Sequence, residues 1–529
     1  MLSILEERGY VKEIAGDRNA LDDLFTSKRI GAYAGIDPTA PSLHLGHLLP
    51  LMVLYWLYVH GYHVVSLIGG ATAKVGDPTG RLTSRASVQG SVHQTNLVSM
   101  HMQMKRLWEN AEVYASKHGY QKTLAWKREL LNNASWMNRL SVVEFLRLMG
   151  AGARMGTMLS RDTVKNKMTQ GDGMSFAEFT YPLLQAWDWW HMYSTKGVQL
   201  QIGGSDQYGN IIAGIDGIKH TAAQELDPDK RIDLSDPLMQ PMGLTVPLLT
   251  TSSGAKFGKS AGNAVWLDKD MTSSFDLYGF LLRSNDADVE RYLKLFTFLP
   301  LTDVSDIMEA HAQDPSKRHA QHALAYQVLW LVHGAEEAER TSEQHRLMRR
   351  PTLSSLTSSG VPSNTNLEHV PGDAKQDTGR NNAGPTRTML PRSLVQGTPL
   401  SRVLYHVGLA KTRSEGQRLI LKGGAYVGRA GSGFANADGK GGMDDEINFR
   451  QISDANAPAH ECVSKTGLLL LRVGKWKVRV VEVVDDEEFD ARGGTAPGWE
   501  EWKDKGNAKE GHVWTSQQDM WKALGKPGL

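Results

Sequence analysis

The chain has one cysteine, Cys462, among its 529 residues, so a disulfide framework within the chain is excluded. This composition fits a reducing compartment. Long apolar runs are also absent: the longest, Leu48–Val59, is too short to cross a bilayer and has the length of a buried helix. The formal net charge is only +1. Any surface for a polyanionic partner must therefore be local.

The N-terminal residues begin an acidic amphipathic helix. They lack the arginine-rich, acid-poor composition of a transit peptide and the apolar core of a signal peptide. The composition, 40% hydrophobic and 22% charged, is typical of a globular protein. The chain is too long for one ordinary core, so we expect roughly two to four domains.

Residues 1–270 alternate between strand-like and helical stretches. Two predicted strands, 62–68 and 198–202, are each closed by paired glycines. This is the pattern of a doubly wound parallel sheet, in which ligands bind at the carboxyl ends of the strands. We therefore predict an α/β, Rossmann-type domain, with helices near 91–117 and 141–158 inserted between the two halves of its sheet.

Composition divides the rest of the chain into four parts. Residues 271–350 are rich in predicted helix. Residues 351–398 are rich in Ser, Thr, Asn, Gly and Pro with few large apolar residues, which predicts a flexible linker or insertion. We predict a small α+β domain over residues 399–484 and a charged tail over residues 485–529.

Two histidines, His44 and His47, flank Gly46 at the start of a helix predicted over 44–61. Spaced i, i+3, they share one helix face near an N-terminus, where backbone dipoles favour anions. Imidazoles donate hydrogen bonds to phosphate oxygens without adding a fixed full charge, and Gly46 lets a nucleotide approach the backbone. The alternative interpretation is a pair of ordinary surface histidines.

A second motif, Lys256-Phe257-Gly258-Lys259-Ser260, follows a turn that contains Gly254. Two ammonium groups in such a loop could bind the phosphates of a nucleotide. Taken alone, a loop of lysine and glycine is more often simply solvated. Its position after a predicted strand closed by glycines favours the functional interpretation.

Three polar side chains form one helical stripe, because Tyr181, Gln185 and Asp188 are spaced i, i+4 and i+7. Such a stripe is unusual for a packing surface and indicates a binding surface. The alternatives are core packing for Tyr181 and a solvated helix face for Asp188. The position of Asp206, just after two glycines, predicts that it caps a helix N-terminus, binds a ligand through its carboxylate, or does both.

Together, the two motifs resemble the HIGH and KMSKS sequences of class I aminoacyl-tRNA synthetases, and the residues around them resemble the tyrosyl-tRNA synthetase family. The second motif departs from Lys-Met-Ser-Lys-Ser but keeps both lysines and the final serine. The resemblance covers 1–345 almost continuously and 399–484 more weakly. It implies a Rossmann-type class I synthetase catalytic domain over 1–270, an α-helical anticodon-side domain over 271–350 and a C-terminal S4-like α+β RNA-binding domain.

The resemblance implies ATP, carried with Mg²⁺, as a substrate, with no permanent cofactor and no metal held by the protein. The residues implied to act in catalysis are Thr39, His44, His47, Lys256, Lys259 and Ser260. The residues implied to contact ATP are Gly35, Asp37, Thr39, His44, Gly46, His47, Gly204, Asp206, Lys256 and Lys259.

The resemblance also implies L-tyrosine as the amino acid, held by Tyr33, Asp77, Tyr181, Gln185, Asp188 and Gln207. Tyr33 and Asp188 would bind the phenolic hydroxyl, and Asp77 would meet the α-ammonium group with Tyr181 and Gln185. A buried aspartate that needs a donor rejects phenylalanine, and this family is itself the standard example of that discrimination. The nearest competitor is a tryptophanyl enzyme, whose pocket has no phenol to satisfy.

One block of the chain has a single sign of charge: residues 391–430 carry seven Lys or Arg against one acid, Glu415. Residues 400–428 resemble an S4-type RNA-binding module, in which two short helices precede a strand. Basic side chains bind phosphate with weak sequence preference, although a solvated basic face is the alternative. The RNA-binding residues implied are Arg402, Lys411, Arg413, Arg418 and Lys422.

As a member of this family, the chain would be a tyrosine–tRNA ligase acting on tRNA(Tyr), a homodimer without a membrane partner. Its extra C-terminal segments are similar to those of filamentous-fungal mitochondrial members, which implies the mitochondrial matrix. A bacterial cytoplasm is the alternative, because no transit peptide is visible. Some fungal relatives also bind group I intron RNA, so an additional or sole role as a splicing factor stays open. The intact His, Lys and Asp residues disfavour a regulatory pseudo-synthetase.

Overall fold

The computed structural model describes residues 1–84, 89–121, 127–224, 232–252, 254, 259–260, 263–349, 385–430, 447–464, 466–474 and 477–507. The chain forms two compact units, Met1–Glu339 and Arg340–Leu529. Within the described residues, no helix has both the length and the apolar character needed to cross a membrane.

A six-stranded sheet lies at the centre of the first unit. Its strands are β1 (Glu13–Ala15), β2 (Gly31–Ile36), β3 (His63–Ile68), β4 (Arg128–Asn132), β5 (Val198–Gly204) and β6 (Met242–Val246). They lie in the order β1-β6-β5-β2-β3-β4, and all neighbours are parallel except β1 and β6. A separate antiparallel pair consists of β7 (Lys259–Ser260) and β8 (Asn263–Ala264).

The strand order places a crevice between β2 and β5. From β2 the chain proceeds through β3 to β4, and it then continues on the other side of β2 with β5 and β6. In open parallel sheets, ligands bind at the carboxyl ends of the strands where the order reverses. The predicted α/β, Rossmann-type fold is confirmed, and the two strands at its reversal point end at Ile36 and Gly204.

Helices cover both faces of this sheet, and each face has its own apolar core. Alternate strand residues point to opposite faces. Ala32 and Val64 join the core beneath α3, whereas Tyr33 and Val65 join the core beneath α9 and α10. The helices are α1 (Leu2–Glu7), α2 (Arg18–Ser27), α3 (Leu48–Val59), α4 (Gly90–Lys117), α5 (Ala134–Met137), α6 (Val142–Phe145), α7 (Met155–Ser160), α8 (Asp162–Gln170), α9 (Phe176–Lys196), α10 (Tyr208–Ala223), α11 (Ser274–Leu282), α12 (Asp286–Phe296), α13 (Leu301–Gln313), α14 (His319–His333) and α15 (Ala335–Arg349).

α3 is the buried helix that the long apolar run predicts. Every residue of it except Pro50 is buried, as expected for a helix that is apolar on all sides. The helix begins later than predicted. His44 has an extended backbone, a 3₁₀ turn covers Leu45–His47, and the α-helix starts at Leu48.

The helices α11 to α14, which follow residue 270, belong to the same compact unit as the sheet. One contact that joins them is Arg8, which follows α1 and is 3% exposed. Its guanidinium lies over the ring of Trp56, 3.9 Å from the centroid, and donates to the carbonyl oxygens of Lys294, Thr297 and Leu299 at 3.2, 3.3 and 2.6 Å. The predicted boundary at 270 therefore does not separate two units of the described chain.

The second unit contains a mixed five-stranded sheet. Its strands are β9 (Pro385–Pro391), β10 (Ala425–Ala430), β11 (Ile447–Gln451), β12 (Leu468–Val473) and β13 (Lys477–Val484). Their order is β11-β10-β12-β13-β9, and only β13 and β9 are parallel. The helices are α16 (Arg392–Gln396), α17 (Leu400–His406), α18 (Arg413–Leu421), α19 (Asp486–Ala491) and α20 (Trp499–Asn507). α17 and α18 pack together before β10, as the S4-type resemblance implies.

This unit extends beyond its predicted bounds at both ends. β9 and α16 lie within the predicted linker 351–398, and α19 and α20 lie within the predicted tail 485–529. The composition of the tail is misleading because a few aromatic residues anchor it: Phe489 and Trp499 are buried in the core of the unit. Residues 351–384 lie outside the described residues, so the linker prediction is not addressed there.

Candidate active site

One cavity of about 440 Å³ opens at the carboxyl ends of β2 and β5, where the strand order reverses. Segments distant in the chain meet there: the end of β2, the histidine motif, the turn after β3, one stripe of α9 and the turn after β5. The predicted residues that line it are Tyr33, Gly35, Asp37, Thr39, His44, Gly46, His47, Asp77, Tyr181, Gln185, Asp188, Gly204, Asp206 and Gln207.

The two histidines form a stacked pair at one side of the cavity. Their ring centroids are 3.7 Å apart and their planes differ by 14°. The backbone N–H of His44 donates to Nδ1 of His47 at 3.1 Å. A Cβ on Gly46 would lie 3.1 Å from Cε1 of His44, so glycine leaves room for this stack.

Burial and the neighbouring His44 hold the pKa of His47 well below its usual range, so the ring is neutral at physiological pH. Because Nδ1 accepts from the backbone, the proton of the neutral ring resides on Nε2. His47 can therefore donate a hydrogen bond to an anionic oxygen without adding charge.

The chain after the lysine motif is joined directly to the histidine motif. The backbone N–H of Leu45 donates to the carbonyl of Val265 at 3.0 Å, and that of Leu267 donates to the carbonyl of Leu43 at 2.8 Å. Lys256 lies outside the described residues. Lys259 and Ser260 form β7, but their side chains also lie outside the described part of the structure.

A tyrosine and an aspartate form the polar end of the cavity. The Tyr33 hydroxyl is buried and has no hydrogen-bond partner among the described residues. Oδ2 of Asp188 accepts from Nδ2 of Asn133 at 2.9 Å, and Oδ1 accepts from Nε1 of Trp136 at 2.7 Å. Each carboxylate oxygen keeps a further lone pair. The pair can therefore bind a group that both donates and accepts, as a phenol does.

The protonation state of this pair follows from burial. Burial raises the pKa of Asp188 to about 7; the hydrogen bonds from Asn133 and Trp136 lower it in part, and the Asp37 carboxylate raises it. Burial, with the charge of Asp188, also raises the pKa of Tyr33 well above its usual range. Tyr33 thus stays a hydroxyl donor, while Asp188 titrates near neutrality.

We expect KM for an amino acid with a phenolic side chain to rise as pH falls. From about pH 8 to about pH 6, Asp188 takes up a proton and the phenol loses its anionic acceptor, with a limiting slope of about tenfold per pH unit. Steady-state KM for tyrosine, measured across this range at saturating ATP, tests the expectation. The Asp188→Asn variant is the control, because it has no carboxyl to titrate. A wild-type KM that does not vary with pH would contradict it.

Two carboxylates form an anionic cluster beside the stripe of α9. Asp37 accepts from the hydroxyls of Tyr181 and Thr72, both at 2.8 Å. Asp77 accepts from Nε2 of Gln207 at 2.7 Å. Asn210 donates to both Gln185 and Gln207, at 3.3 and 3.1 Å. The cluster suits a cation such as an ammonium group. It includes Asp37, for which the resemblance implies a contact with ATP.

The turn after β5 brings Asp206 close to the backbone. A Cβ on Gly204 would lie 2.4 Å from Oδ1 of Asp206, so a larger residue there would displace the carboxylate. Gly204 is the N-cap of the 3₁₀ turn Ser205–Gln207, and Gln207 is the N-cap of α10. Asp206 is therefore not a helix N-cap, and its carboxylate lines the cavity.

Several residues of the site escape sequence reasoning. Thr72 and Gln201 line the cavity, and Asn133 and Trp136 hold Asp188 in place. Oε1 of Gln201 is buried without a partner among the described residues. A usable signal was the position of Asn133, immediately after the carboxyl end of β4.

The predicted RNA-binding residues lie in the second unit, on and beside α17 and α18. All of them are exposed: Arg402, Lys411, Arg413, Arg418 and Lys422. Arg413 lies 5.7 Å from the ring centroid of Tyr405 and donates to Oε2 of Glu501 at 2.6 Å. Exposed basic side chains of this kind are suited to phosphate contacts.

Comparison with known proteins places these features in a family. A family model described as tRNA synthetases class I (W and Y) matches residues 26–348, and a tyrosyl-tRNA synthetase C-terminal domain matches residues 378–501. A mitochondrial tyrosine–tRNA ligase of Podospora anserina is 48% identical over 495 residues, covering 93% of this chain and 76% of that protein. The mitochondrial tyrosine–tRNA ligase of Mus musculus is 33% identical over 493 residues, covering 91% and 93%.

A solved structure agrees with these sequence matches. The crystal structure of a C-terminally truncated Aspergillus nidulans mitochondrial tyrosyl-tRNA synthetase is 54% identical, with a TM-score of 0.62 over 66% of this chain and 93% of that one. The family model covers more than half of the chain, and the Podospora relative matches along most of both sequences. The chain belongs to the class I aminoacyl-tRNA synthetases, in the tyrosyl-tRNA synthetase family.

Proposed function

We infer that the chain is a tyrosine–tRNA ligase of mitochondrial translation. It joins L-tyrosine to ATP to give tyrosyl-adenylate and diphosphate, and it then transfers the tyrosyl group to tRNA(Tyr). The observation that carries this conclusion is one cavity that holds a phenol-binding pair, an anionic cluster and a stacked histidine pair at the reversal point of the sheet. The sequence identity of this chain to mitochondrial tyrosine–tRNA ligases supports the same activity and a mitochondrial location. We place it in the matrix, where mitochondrial tRNAs are charged.

The cavity orients tyrosine from both ends. The phenolic hydroxyl donates to Asp188 and accepts from Tyr33, which is the partner that the buried Tyr33 hydroxyl otherwise lacks. The α-ammonium group binds at Asp37, Asp77 and Tyr181. With both ends held, the tyrosine carboxylate is left as the group that faces the nucleotide.

Activation needs no side-chain nucleophile. An oxygen of the tyrosine carboxylate attacks the α-phosphorus of ATP, the bond to the β-phosphate oxygen breaks, and diphosphate leaves. The protein contributes position and charge stabilisation. His47 donates to a phosphate oxygen as a neutral ring, with His44 stacked on it. Asp206 accepts from the ribose hydroxyls, and Lys256 and Lys259 stabilise the departing diphosphate. Mg²⁺ arrives as the counterion of ATP and reduces the charge of its phosphates.

Tyrosine-dependent exchange of pyrophosphate into ATP tests this function. We expect exchange with tyrosine and none above background with phenylalanine or tryptophan, because neither can satisfy Asp188 and Tyr33 together. Charging of tRNA(Tyr) by the same preparation tests the second step. A folded chain that exchanges with no amino acid would overturn the proposal, and preference for tryptophan would move it to the other branch of the family.

We also propose that the enzyme is a homodimer. A patch of exposed apolar side chains lies on α6, α7, the first turn of α9 and the segments between them. Val142, Val143 and Phe176 are 72, 76 and 76% exposed. Large apolar side chains that remain this exposed are typical of a protein–protein interface when they form one patch, and we propose that these do. The remaining members of the patch are Leu146, Met155 and Leu159.

Val143→Glu is expected to convert the dimer to a monomer, because it buries an unpaired carboxylate in the interface. Sedimentation velocity at micromolar concentration measures the change. Val113→Glu, on α4 at 62% exposure, is the matched control outside the patch and should stay dimeric. If the wild type is a monomer, or if both variants behave alike, the patch is not the interface.

Binding of group I intron RNA stays a prediction as an additional or sole role. The exposed arginines and lysines of the second unit contact phosphate in any RNA, so they do not favour one RNA over another. Competition between tRNA and a folded intron for the purified chain separates the two roles.

A further inference from the structure

The segment that carries the lysine motif connects β6 to β8, and the structure describes both of its ends. Its far end is joined to the histidine motif through Val265, as described above. Its near end is held by a different part of the molecule, helix α12. Asp288, in the first turn of α12, is 3% exposed, and its Oδ2 accepts from both the backbone N–H and the hydroxyl of Ser252, at 3.0 and 3.1 Å.

Two neighbours on the same face of α12 hold the preceding carbonyl. The hydroxyl of Tyr292 donates to the carbonyl oxygen of Thr250 at 3.2 Å, and the Arg291 guanidinium donates to the same oxygen. Arg291 also lies 3.7 Å from Oδ1 of Asp288. Residues 288, 291 and 292 are spaced i, i+3 and i+4, so one helix face makes all of these contacts.

This use of Asp288 differs from ordinary helix capping. The N-cap of α12 is Asn285, and the Asp288 carboxylate accepts hydrogen bonds from Ser252, outside the helix. A buried carboxylate is costly unless it is fully hydrogen-bonded, so the contact with Ser252 is strongly specified. Asp288 is not among the residues that line the active-site cavity, and it is not one of the residues predicted to bind tyrosine or ATP.

We propose that Asp288 is a positioning residue for the lysine segment. Its hydrogen bonds to Ser252 fix the chain four residues before Lys256, and we expect the two lysines to act on the diphosphate of ATP only while that point is fixed. This inference rests on the proposed activation of tyrosine by ATP. Displacement of a reacting group by about 1 Å can lower a rate by about 100-fold. Loss of the anchor should therefore affect the steps that involve ATP and spare the binding of tyrosine.

The test compares Asp288→Ala with the wild type in three measurements. We expect kcat/KM for ATP in pyrophosphate exchange to fall by about 10- to 100-fold. The dissociation constant for tyrosine without ATP should stay within about twofold, since the tyrosine residues lie elsewhere. Trypsin cleavage after Lys256 or Lys259 in the folded enzyme should become faster, because the near end of the segment is released.

Two further variants make the result specific. Glu290→Gln removes an exposed acid from the same helix, one that pairs with Lys294 at 2.6 Å, and should match the wild type in all three measurements. Asp288→Asn keeps a carbonyl acceptor for Ser252 and should restore most of the ATP-dependent activity. Equal losses of tyrosine affinity and of ATP-dependent rate would mark Asp288 as a purely structural residue and overturn the proposal. Wild-type kinetics and cleavage in Asp288→Ala would do the same.

The failure of the proposed function is distinguishable from the failure of this inference. If the wild type shows no exchange with tyrosine, the activity assignment falls, whereas trypsin cleavage still reports whether Asp288 holds the segment. If the wild type exchanges normally and only the Asp288→Ala comparison fails, the activity stands and the positioning role falls.

Discussion

Asp188→Asn is expected to lower kcat/KM for tyrosine by about 100-fold, as hydrogen bonds to a charged group contribute about 1.5–3 kcal/mol. The carboxylate accepts from Asn133 and Trp136 in the unliganded protein and has lone pairs left for the phenol of tyrosine. In Asp188→Asn, an NH₂ donor replaces one of the two acceptor oxygens. This donor faces another donor, which is the amide of Asn133, the indole N–H of Trp136 or the hydroxyl of the phenol. Steady-state pyrophosphate exchange at saturating ATP measures the loss, and KM for ATP should change little.

The ratio of tyrosine to phenylalanine activation gives the decisive comparison. Asp188→Asn should narrow this ratio, because the penalty that phenylalanine suffers comes from an unsatisfied buried carboxylate. Tyr33→Phe is the milder companion, with an expected loss of about tenfold, since it removes a single neutral hydrogen bond of about 0.5–1.5 kcal/mol. Its hydroxyl has no partner among the described residues, so its removal should not harm folding. An unchanged ratio in Asp188→Asn would refute the phenol-binding role.

Lys167→Met is expected to destabilise the protein by about 3–5 kcal/mol, the usual cost of leaving one member of a buried ion pair alone. Lys167 is 0% exposed, in the otherwise polar helix α8. Its ammonium group donates to Glu178 and to the hydroxyl of Ser84, the latter at 3.0 Å, and it lies 3.8 Å from Asp172. Urea unfolding followed by tryptophan fluorescence measures the change.

A second substitution separates charge from packing. In Lys167→Met combined with Glu178→Gln, no buried charge is left alone, and most of the lost stability should return. Ser84 follows the segment that bears Asp77, and Glu178 lies one turn before Tyr181 on α9. The ion pair therefore also joins two segments that bear residues of the anionic cluster. If Lys167→Met unfolds at the same urea concentration as the wild type, the ion pair does not contribute to the stability of the protein.

The parts of the fold and site that can be predicted from the sequence are those that depend on residues only a few positions apart in the chain. Strands closed by paired glycines predict the parallel sheet and the end at which ligands bind. The separations of Tyr181, Gln185 and Asp188 match the helical period, and the structure places all three at the cavity. The histidine motif similarly lies within four consecutive residues.

The parts that could not be predicted depend on contacts between distant segments. Asn133 meets Asp188 across 55 positions, and its own surroundings in the sequence are ordinary. Nothing in the mostly polar sequence of α8 marks Lys167 as buried, and only the fold reveals it. The Asp288 contact with Ser252 spans 36 positions and joins two regions that composition assigns to different domains. The resemblance implies that Asp37 contacts ATP, whereas its hydrogen bonds group it with Tyr181.

The parallel strand β9 has a consequence for aggregation. It covers the edge of β13, whose Val478, Val480 and Val481 are almost completely buried, from Pro385↔Val478 to Pro391↔Val484. A chain shortened to begin at residue 399, the boundary that composition predicts, would lose β9 and leave β13 with a row of unpaired backbone groups. Such an apolar edge is a template for strand addition by a second molecule. A stable fragment of the second unit must therefore begin before Pro385, and one that begins at residue 399 is expected to precipitate.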